Sequence, residues 1–189
     1  MYIRFLLISC LVGLTSFFCN AQSQNVLKMD LVSVFQKGVL VSYERILNDS
    51  RSVELAVGYT SKRDLFSKIQ VATITPQYKF YVSDWESAPN GFYFAPSLTY
   101  GYGRAEESLL SLWSTSVSVH LIGPGLNLGY QKLIKDKIAL EASLGPVYYS
   151  ALATASSDYS AIGISPQSIK LDGFSGFALQ LNLNVGIGF

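Results

Sequence analysis

Apolar and polar residues alternate one for one along most of this chain. The C-terminal segment is the cleanest case. Phe177, Leu179, Leu181, Leu183, Val185, Ile187 and Phe189 are apolar, while Ala178, Gln180, Asn182, Asn184, Gly186 and Gly188 between them are small or amide. A repeat of 180° per residue belongs to a strand with one apolar face. Upstream, Val53, Leu55, Val57 and Tyr59 alternate with Glu54, Ala56 and Gly58, and Ile74, Pro76, Tyr78, Phe80 and Val82 with Thr75, Gln77, Lys79 and Tyr81. Phe92–Tyr102 and Ile138–Tyr148 repeat the pattern. The runs predict eight strands, at 26–35, 39–47, 52–60, 70–83, 91–103, 115–131, 137–150 and 174–189. Between them lie connections at 36–38, 48–51, 61–69, 84–90, 104–114, 132–136 and 151–173, rich in turn residues. No linker or helical repeat divides them, so one domain is expected.

Ahead of the first strand the pattern differs. Arg4 precedes an uncharged apolar stretch at 5–19, followed by Cys19-Asn20-Ala21. A positive start, a short apolar core and small residues before a cut site predict a secretory signal peptide at 1–21, removed after Ala21. The stretch is short for a spanning helix, which needs about 20 residues. The expected mature domain is 22–189, with 13 basic and 13 acidic residues once Arg4 is gone. Both cysteines, Cys10 and Cys19, leave with the signal, which excludes a disulfide framework and thiol chemistry. One histidine and no cysteine also argue against a zinc site, and no cofactor is expected. A balanced charge gives no basic surface for nucleic acid.

Only 14% of all residues are charged, against about 25% in soluble domains, and mean hydropathy is positive. The longest uncharged run of the mature chain, 108–131, carries five serines and Gly123-Pro124-Gly125, so it reads as strand rather than as a membrane helix. An alternating barrel can turn its apolar face inward around a ligand, as lipocalins do, or outward to lipid. The polar face here is mostly Gly, Ala, Ser, Thr, Asn and Gln, which suits the narrow interior of an eight-stranded barrel. With the N-terminus in the periplasm, the long connections 104–114 and 151–173 fall outside and the short 48–51 and 132–136 fall inside. That topology gathers Tyr59, Tyr100, Tyr102 and Tyr148 at outer strand ends, and Tyr43, Phe80, Phe92, Tyr130 and Phe189 at inner ends, as two aromatic girdles. Pro76, Pro96, Pro124 and Pro146 fall inside strands and argue the other way, since each removes a ladder bond or marks a bulge. A bulge is expected at Pro124, where the apolar parity shifts from Val117, Val119 and Leu121 to Leu126, Leu128 and Tyr130.

The pattern over 25–189 resembles small outer-membrane β-barrels of Gram-negative bacteria with the OmpA/OmpX-type fold. The final strand, Leu181-Asn182-Leu183-Asn184-Val185-Gly186-Ile187-Gly188-Phe189, looks like the terminal signal read by the outer-membrane insertion machinery. Gly38-Val39-Leu40-Val41-Ser42-Tyr43-Glu44-Arg45, Gly58-Tyr59 and Pro76-Gln77-Tyr78-Lys79-Phe80-Tyr81 are similar to a family of such barrels of undefined function. The resemblance implies an outer-membrane location and a role for Phe189 in insertion. It carries over no catalytic residue.

Chemistry is sparse. Ser118 and His120 form a Ser-x-His, with Glu141 on the next strand, but His120 lies near the outer end of its strand and Glu141 near the inner end of the other. Roughly 35 Å of strand separates His120 from the inner turn, where a triad needs contacts of about 3 Å. The expected bulge leaves the facing of His120 open. Lys28, Asp30, Glu44, Glu54, Lys79 and Glu141 fall on the lumen side and predict a packed polar network rather than an ion path. Four acids against two bases suggest that Arg45 or Arg104 turns inward. Lys62, Arg63 and Lys68 could meet lipopolysaccharide phosphates. The expectation is therefore an all-β, eight-stranded antiparallel up-and-down transmembrane β-barrel of the outer membrane, monomeric and without enzymatic activity, surrounded by lipid and lipopolysaccharide. Its role is structural or carried by its loops. A lipid A-modifying enzyme and a soluble periplasmic lipocalin-like barrel are the alternatives.

Overall fold

The computed structural model of the chain describes residues 24–63, 67–82, 86–109, 113–159 and 164–189, and the expected signal peptide lies outside them. The strands are β1 (Asn25–Asp30), β2 (Gly38–Asn48), β3 (Arg51–Arg63), β4 (Ser67–Tyr81), β5 (Gly91–Leu109), β6 (Trp113–Ile134), β7 (Ile138–Tyr159) and β8 (Ile164–Gly188). Each pairs antiparallel with the next, and β8 returns to β1, so the chain is a closed up-and-down barrel. The expected eight strands are all present. One short helix, α1 (Leu31–Phe35), follows β1. No helix among the described residues is long and apolar enough to cross a membrane.

Period two decides which face is which. In β3, Ser52, Glu54 and Ala56 are buried while Val53, Leu55, Val57 and Tyr59 are exposed. In β7, Glu141, Ser143 and Val147 are buried while Leu140, Leu144 and Tyr148 are exposed. The barrel therefore keeps its polar set inside and displays its apolar set. The outward aromatic rings lie in cross-strand rows. Tyr59 faces Ala72, which faces Tyr102, which faces His120. Nearer the other end, Phe80 stacks on Phe94 with centroids 4.8 Å apart, and Phe92 tilts against Tyr130 at the same distance.

Three sequence expectations are corrected. The first strand stops at Asp30 instead of running to residue 35. The Asp30 side chain accepts from Ser33 N at 2.8 Å and from Val32 N at 3.4 Å, a helix cap that ends the extended chain and starts α1. The expected bulge at Pro124 is absent: β5 and β6 keep one register from Leu109↔Trp113 to Gly91↔Gln131. The four prolines expected inside strands, Pro76, Pro96, Pro124 and Pro146, lie on the outward parity. Their missing donors show as lapses in pairing, as between Ile122↔Ser150 and Gly125↔Val147, with no extra residue inserted. Val117, Val119 and Leu121 thus share the inward parity of Asn127, and His120 points outward. The third correction concerns 104–114 and 151–173, which are mostly ribbon. β5 continues to Leu109, β7 to Tyr159, and β8 starts at Ile164. Ladder bonds need no apolar alternation, so the serine-rich ends of β6 and β7 pair without displaying the period that reveals a strand.

Strand length grows from 6 residues in β1 to 25 in β8. The hairpins at the inner end are near flush, so the growth projects from the other end. The β2–β3 and β6–β7 connections are tight, while β4 and β5 are joined through 82–90. Lys135 and Asp136 take φ of 53° and 56° in a two-residue turn closed by Lys137 N to Ile134 O at 3.1 Å.

Candidate functional site

Near the inner end, side chains from seven strands meet on the barrel axis. β1 supplies Lys28, β2 Glu44, β3 Glu54, β4 Lys79, β5 Tyr93, β6 Gln131 and β7 Glu141. Each lysine reaches all three glutamates. Lys28 Nζ lies 2.8 Å from Glu44 Oε2, 2.6 Å from Glu54 Oε2 and in contact with Glu141. Lys79 Nζ lies 3.4 Å from Glu44, 2.6 Å from Glu54 and 2.8 Å from Glu141. Gln131 Oε1 accepts from both ammonium groups, at 3.1 and 3.2 Å. Glu44 Oε1 also accepts from Tyr81 OH at 2.7 Å and from Ser52 Oγ, and Tyr93 OH donates to Glu141. The Lys79 ammonium stands 4.4 Å over the Tyr93 ring.

Burial is complete: Glu44 and Lys79 are 0% exposed and Lys28 is 1% exposed. Charges taken from water at this depth need opposite charges and hydrogen bonds on their remaining lone pairs and protons. The cluster supplies both. Two ammonium groups against three carboxylates leave one net negative charge, which the hydroxyl donors of Ser52, Tyr81 and Tyr93 help to carry. The three carboxylates offer oxygens within 4.8 Å of one another, a spacing a cation could use, but the two lysines occupy that role.

Glycines make room for it. A Cβ on Gly186 of β8 would meet Lys28 Cγ at 2.6 Å, so the one strand that sends no side chain into the cluster gives space for the lysine stem. Tyr93 lies across Gly129, its cross-strand neighbour, where a Cβ would strike the phenol ring.

Five of the six residues expected to line the lumen converge here. The sixth, Asp30, is also buried but stands apart: its carboxylate caps α1 and accepts Leu183 N at 2.9 Å. The inward arginine is overturned. Arg45 and Arg104 are both exposed, because once Asp30 is engaged elsewhere the excess is one acid, and neutral donors meet it. Sequence reasoning missed Ser52, Tyr81, Tyr93 and Gln131. All four sit on the inward parity of their strands, and that parity was the available signal. Lys62 and Arg63 are exposed at the end of the β3–β4 hairpin, with Arg63 across from Lys68.

Above the cluster the interior is neutral. Thr75 and Thr99 hydroxyls lie 3.1 Å apart and Tyr149 bonds Thr99. Asn127 donates to Gln77 at 3.0 Å, and Asn182 to Ser143 at 3.2 Å. Ser97 Oγ, Asn127 Oδ1, Gln131 Nε2 and Gln180 Oε1 are buried without a protein partner. On the opposite surface His120 Nδ1 is 3.0 Å from Tyr100 OH, and Ser118 Oγ is 3.5 Å from Tyr102 OH. Ser118 and His120 thus belong to the outward face, whereas Glu141 belongs to the interior.

A family model described as protein of unknown function (DUF3575) matches residues 5–162. Neither a curated protein nor a solved structure matches the chain.

Proposed function

The chain belongs to the DUF3575 family, and we propose that its barrel sits in the bacterial outer membrane as a non-enzymatic protein. In this reading 22–189 is the mature domain, and the role is structural or carried by the projecting ribbons. The observation that carries it is the inverted distribution of polarity. A plug of buried ions fills the inner half, while Leu, Ile, Val, Phe and Tyr cover the outside. Water disfavours such a surface and lipid favours it. A soluble barrel holding an apolar guest needs the reverse, an apolar interior and a charged exterior. The outward rows of Tyr and Phe sit where headgroups would meet them.

The plug gives the role its form. Among the described residues, the inward side chains at the level of Lys28 and Lys79 are all buried, so in this reading the barrel is closed to ions and solutes there. Function then lies with what stands above the bilayer, the ribbons β5–β6 and β7–β8. Lys62, Arg63 and Lys68 at the β3–β4 hairpin would face lipopolysaccharide phosphates. Phe189 would serve the insertion machinery. For the lipid A-modifying alternative, the Ser118–His120 pair lies on the outward surface and, among the described side chains, has no carboxylate as a hydrogen-bond partner.

Leu144→Arg against Ser143→Arg tests the facing. Leu144 is exposed and its neighbour Ser143 buried, and Leu144 lies between the levels of Tyr130 and Tyr148. An arginine on the lipid face near midplane should cost about 2–4 kcal/mol in folding titrations into bilayers. The same substitution at Ser143 should act as crowding, with no dependence on bilayer thickness. If Leu144→Arg folds as well in detergent-free buffer as wild type does in vesicles, the membrane reading fails. Lipid A mass spectra that change on His120→Ala would favour the enzyme.

A further inference from the structure

The outward face of the wall is not evenly filled. Across β2 to β5 the side chains leave an open hollow of about 690 Å³. Ligand pockets commonly measure about 300–1,000 Å³. Two cross-strand rows line it. One runs Tyr43, Leu55, Pro76, and the other runs Arg45, Val53, Tyr78. The register Gln77↔Ser97 brings Leu98 and Pro96 alongside on β5. The prolines account for the hollow. Neither has an N–H to send across between β4 and β5, and pairing lapses on both sides of Gln77↔Ser97. Each proline ring also puts less bulk on the wall than the leucine or tyrosine beside it.

The hollow has a direction. Arg45 lies three residues from the inner end of β2, whereas Leu98 lies seven from the inner end of β5. It therefore climbs from the inner rim into the apolar band. Its upper part is lined by leucine and proline, and its lower end is cationic. Arg51, two residues from Val53 on β3, joins Arg45 there. Both arginines are exposed, and neither guanidinium has a hydrogen bond or ion pair among the described residues, Asp49 of the β2–β3 turn included. Glu54 also borders the hollow, but its carboxylate points inward to Lys28 and Lys79. Tyr43 stands at the same rim, its hydroxyl donating to Asn25 Oδ1 at 2.7 Å. A second outward hollow, of about 560 Å³, lies among Phe92, Phe94, Leu128, Tyr130 and Leu144. None of its lining residues is charged, and Lys132 near that rim is already paired with Glu86.

We propose that the hollow across β2 to β5 is a phospholipid site, selective for an anionic headgroup of the inner leaflet. The inference rests on the membrane reading, which sets this end of the wall on the periplasmic side. The headgroup sits at Arg45 and Arg51, and an acyl chain follows Val53, Leu55, Pro76 and Leu98 upward. A guanidinium presents a planar fork of donors that matches a phosphate, and these two forks have no other partner. An apolar protein segment in the hollow would leave both arginines unmatched at the rim. An anionic solute would leave the apolar part bare. An amphiphile with one anionic end satisfies both. The second hollow has the apolar part without the cations, so it takes chains without choosing among headgroups.

The test uses the mature domain folded into vesicles of equal parts phosphatidylglycerol and phosphatidylcholine with identical acyl chains. Flotation reports insertion, and heat-modifiable migration reports the folded barrel in the same sample. Native mass spectrometry after release into mild detergent then counts each lipid kept by the barrel. Wild type should keep a single lipid, with phosphatidylglycerol favoured roughly fivefold or more, the usual gain for a basic side chain beside an anionic headgroup. Arg45→Gln with Arg51→Gln should remove the preference, while Arg45→Lys with Arg51→Lys should keep it. Val53→Trp fills the hollow from an exposed position and should abolish most of the retention of either lipid. Ala142→Trp fills the second hollow instead and should leave the bound phosphatidylglycerol in place. Inserted, folded wild type without the preference overturns the proposal. So does a preference that survives both glutamine substitutions, or retention lost with Ala142→Trp and kept with Val53→Trp. A lipid-free dimer would give the hollow to a second copy and overturns it as well. Protein that folds but fails to float overturns the membrane reading and this inference with it.

Discussion

Lys28→Met tests whether the buried cluster holds the barrel together. The substitution keeps an unbranched stem of similar volume and deletes the ammonium alone. It removes three ion pairs and the hydrogen bond to Gln131 Oε1. Left behind are Glu44, Glu54 and Glu141 against Lys79, all inside a wall that excludes water. Breaking a buried pair by removing one partner costs about 3–5 kcal/mol, because the stranded charge stays desolvated. One ammonium here serves three carboxylates, so the loss should fall in the upper part of that range. A second substitution sharpens the argument. Among the cluster's hydrogen bonds and ion pairs, Glu54 engages only the two lysines, while Glu44 and Glu141 also hold Ser52, Tyr81 and Tyr93. Adding Glu54→Gln to Lys28→Met removes one stranded charge and should recover roughly 2 kcal/mol, a coupling within the usual range for contacting residues. The assay is urea unfolding of vesicle-folded protein, read from the heat-modifiable band. If Lys28→Met lies within about 1 kcal/mol of wild type, the size of an exposed pair, the cluster is not what stabilises the barrel. If Glu54→Gln brings no recovery, stranded charge is not the cause of the loss.

The strands were legible because a half-buried strand repeats every two residues whichever solvent its apolar face meets. In β3, Val53 to Tyr59 gave both the element and its faces. Where the two faces stop differing, legibility stops. Ser114, Ser116 and Ser118 pair with β7 through backbone bonds that leave no mark in composition, so the ribbons read as loops. At the end of β1 the opposite error arose. Leu31 to Phe35 are apolar enough to continue a strand, but one carboxylate at Asp30 caps a helix. The parity shift at Pro124 misled because Val117, Val119 and Leu121 are apolar on the inward face. The apolar set faces outward over the lower part of the barrel, but in the projecting end these three take the inward parity instead. Within the site, parity and charge together pick out the lysines and glutamates, but nothing in the pattern says that Tyr81 and Tyr93, on the same inward parity, are hydrogen-bond donors at that level. Which inward charges share a level depends on the stagger between strands, which no single strand encodes. Hence Asp30 was grouped with a cluster it does not touch.

Three further outcomes follow from the geometry. Gly129→Ala puts a Cβ within 2.8 Å of Tyr93 Cε1, on a ring that hydrogen-bonds Glu141, and should cost about 1–3 kcal/mol in the same urea assay, whereas Gly176→Ala meets nothing within 4 Å and should be neutral. Lys135→Asn with Asp136→Gly relieves two left-handed positions in the β6–β7 turn and should raise stability by up to about 1 kcal/mol; a loss would mean that the turn is not held as described. Phe189 separates two roles that its position joins. Its backbone exchanges two bonds with Asn25, at 2.9 and 3.0 Å, the last rung of the β1–β8 closure. Its ring is expected to mark the strand for insertion. Phe189→Ala keeps the rung and removes the ring, so purified protein should refold into vesicles within about 1 kcal/mol of wild type. In cells the same variant should be exported but accumulate unassembled, without the heat-modifiable band. Deleting Phe189 removes rung and ring together, and should lower stability in vitro as well, by about 1 kcal/mol for each lost bond. If Phe189→Ala assembles in cells as wild type does while the deletion fails in both settings, the residue closes the barrel and is not an insertion signal.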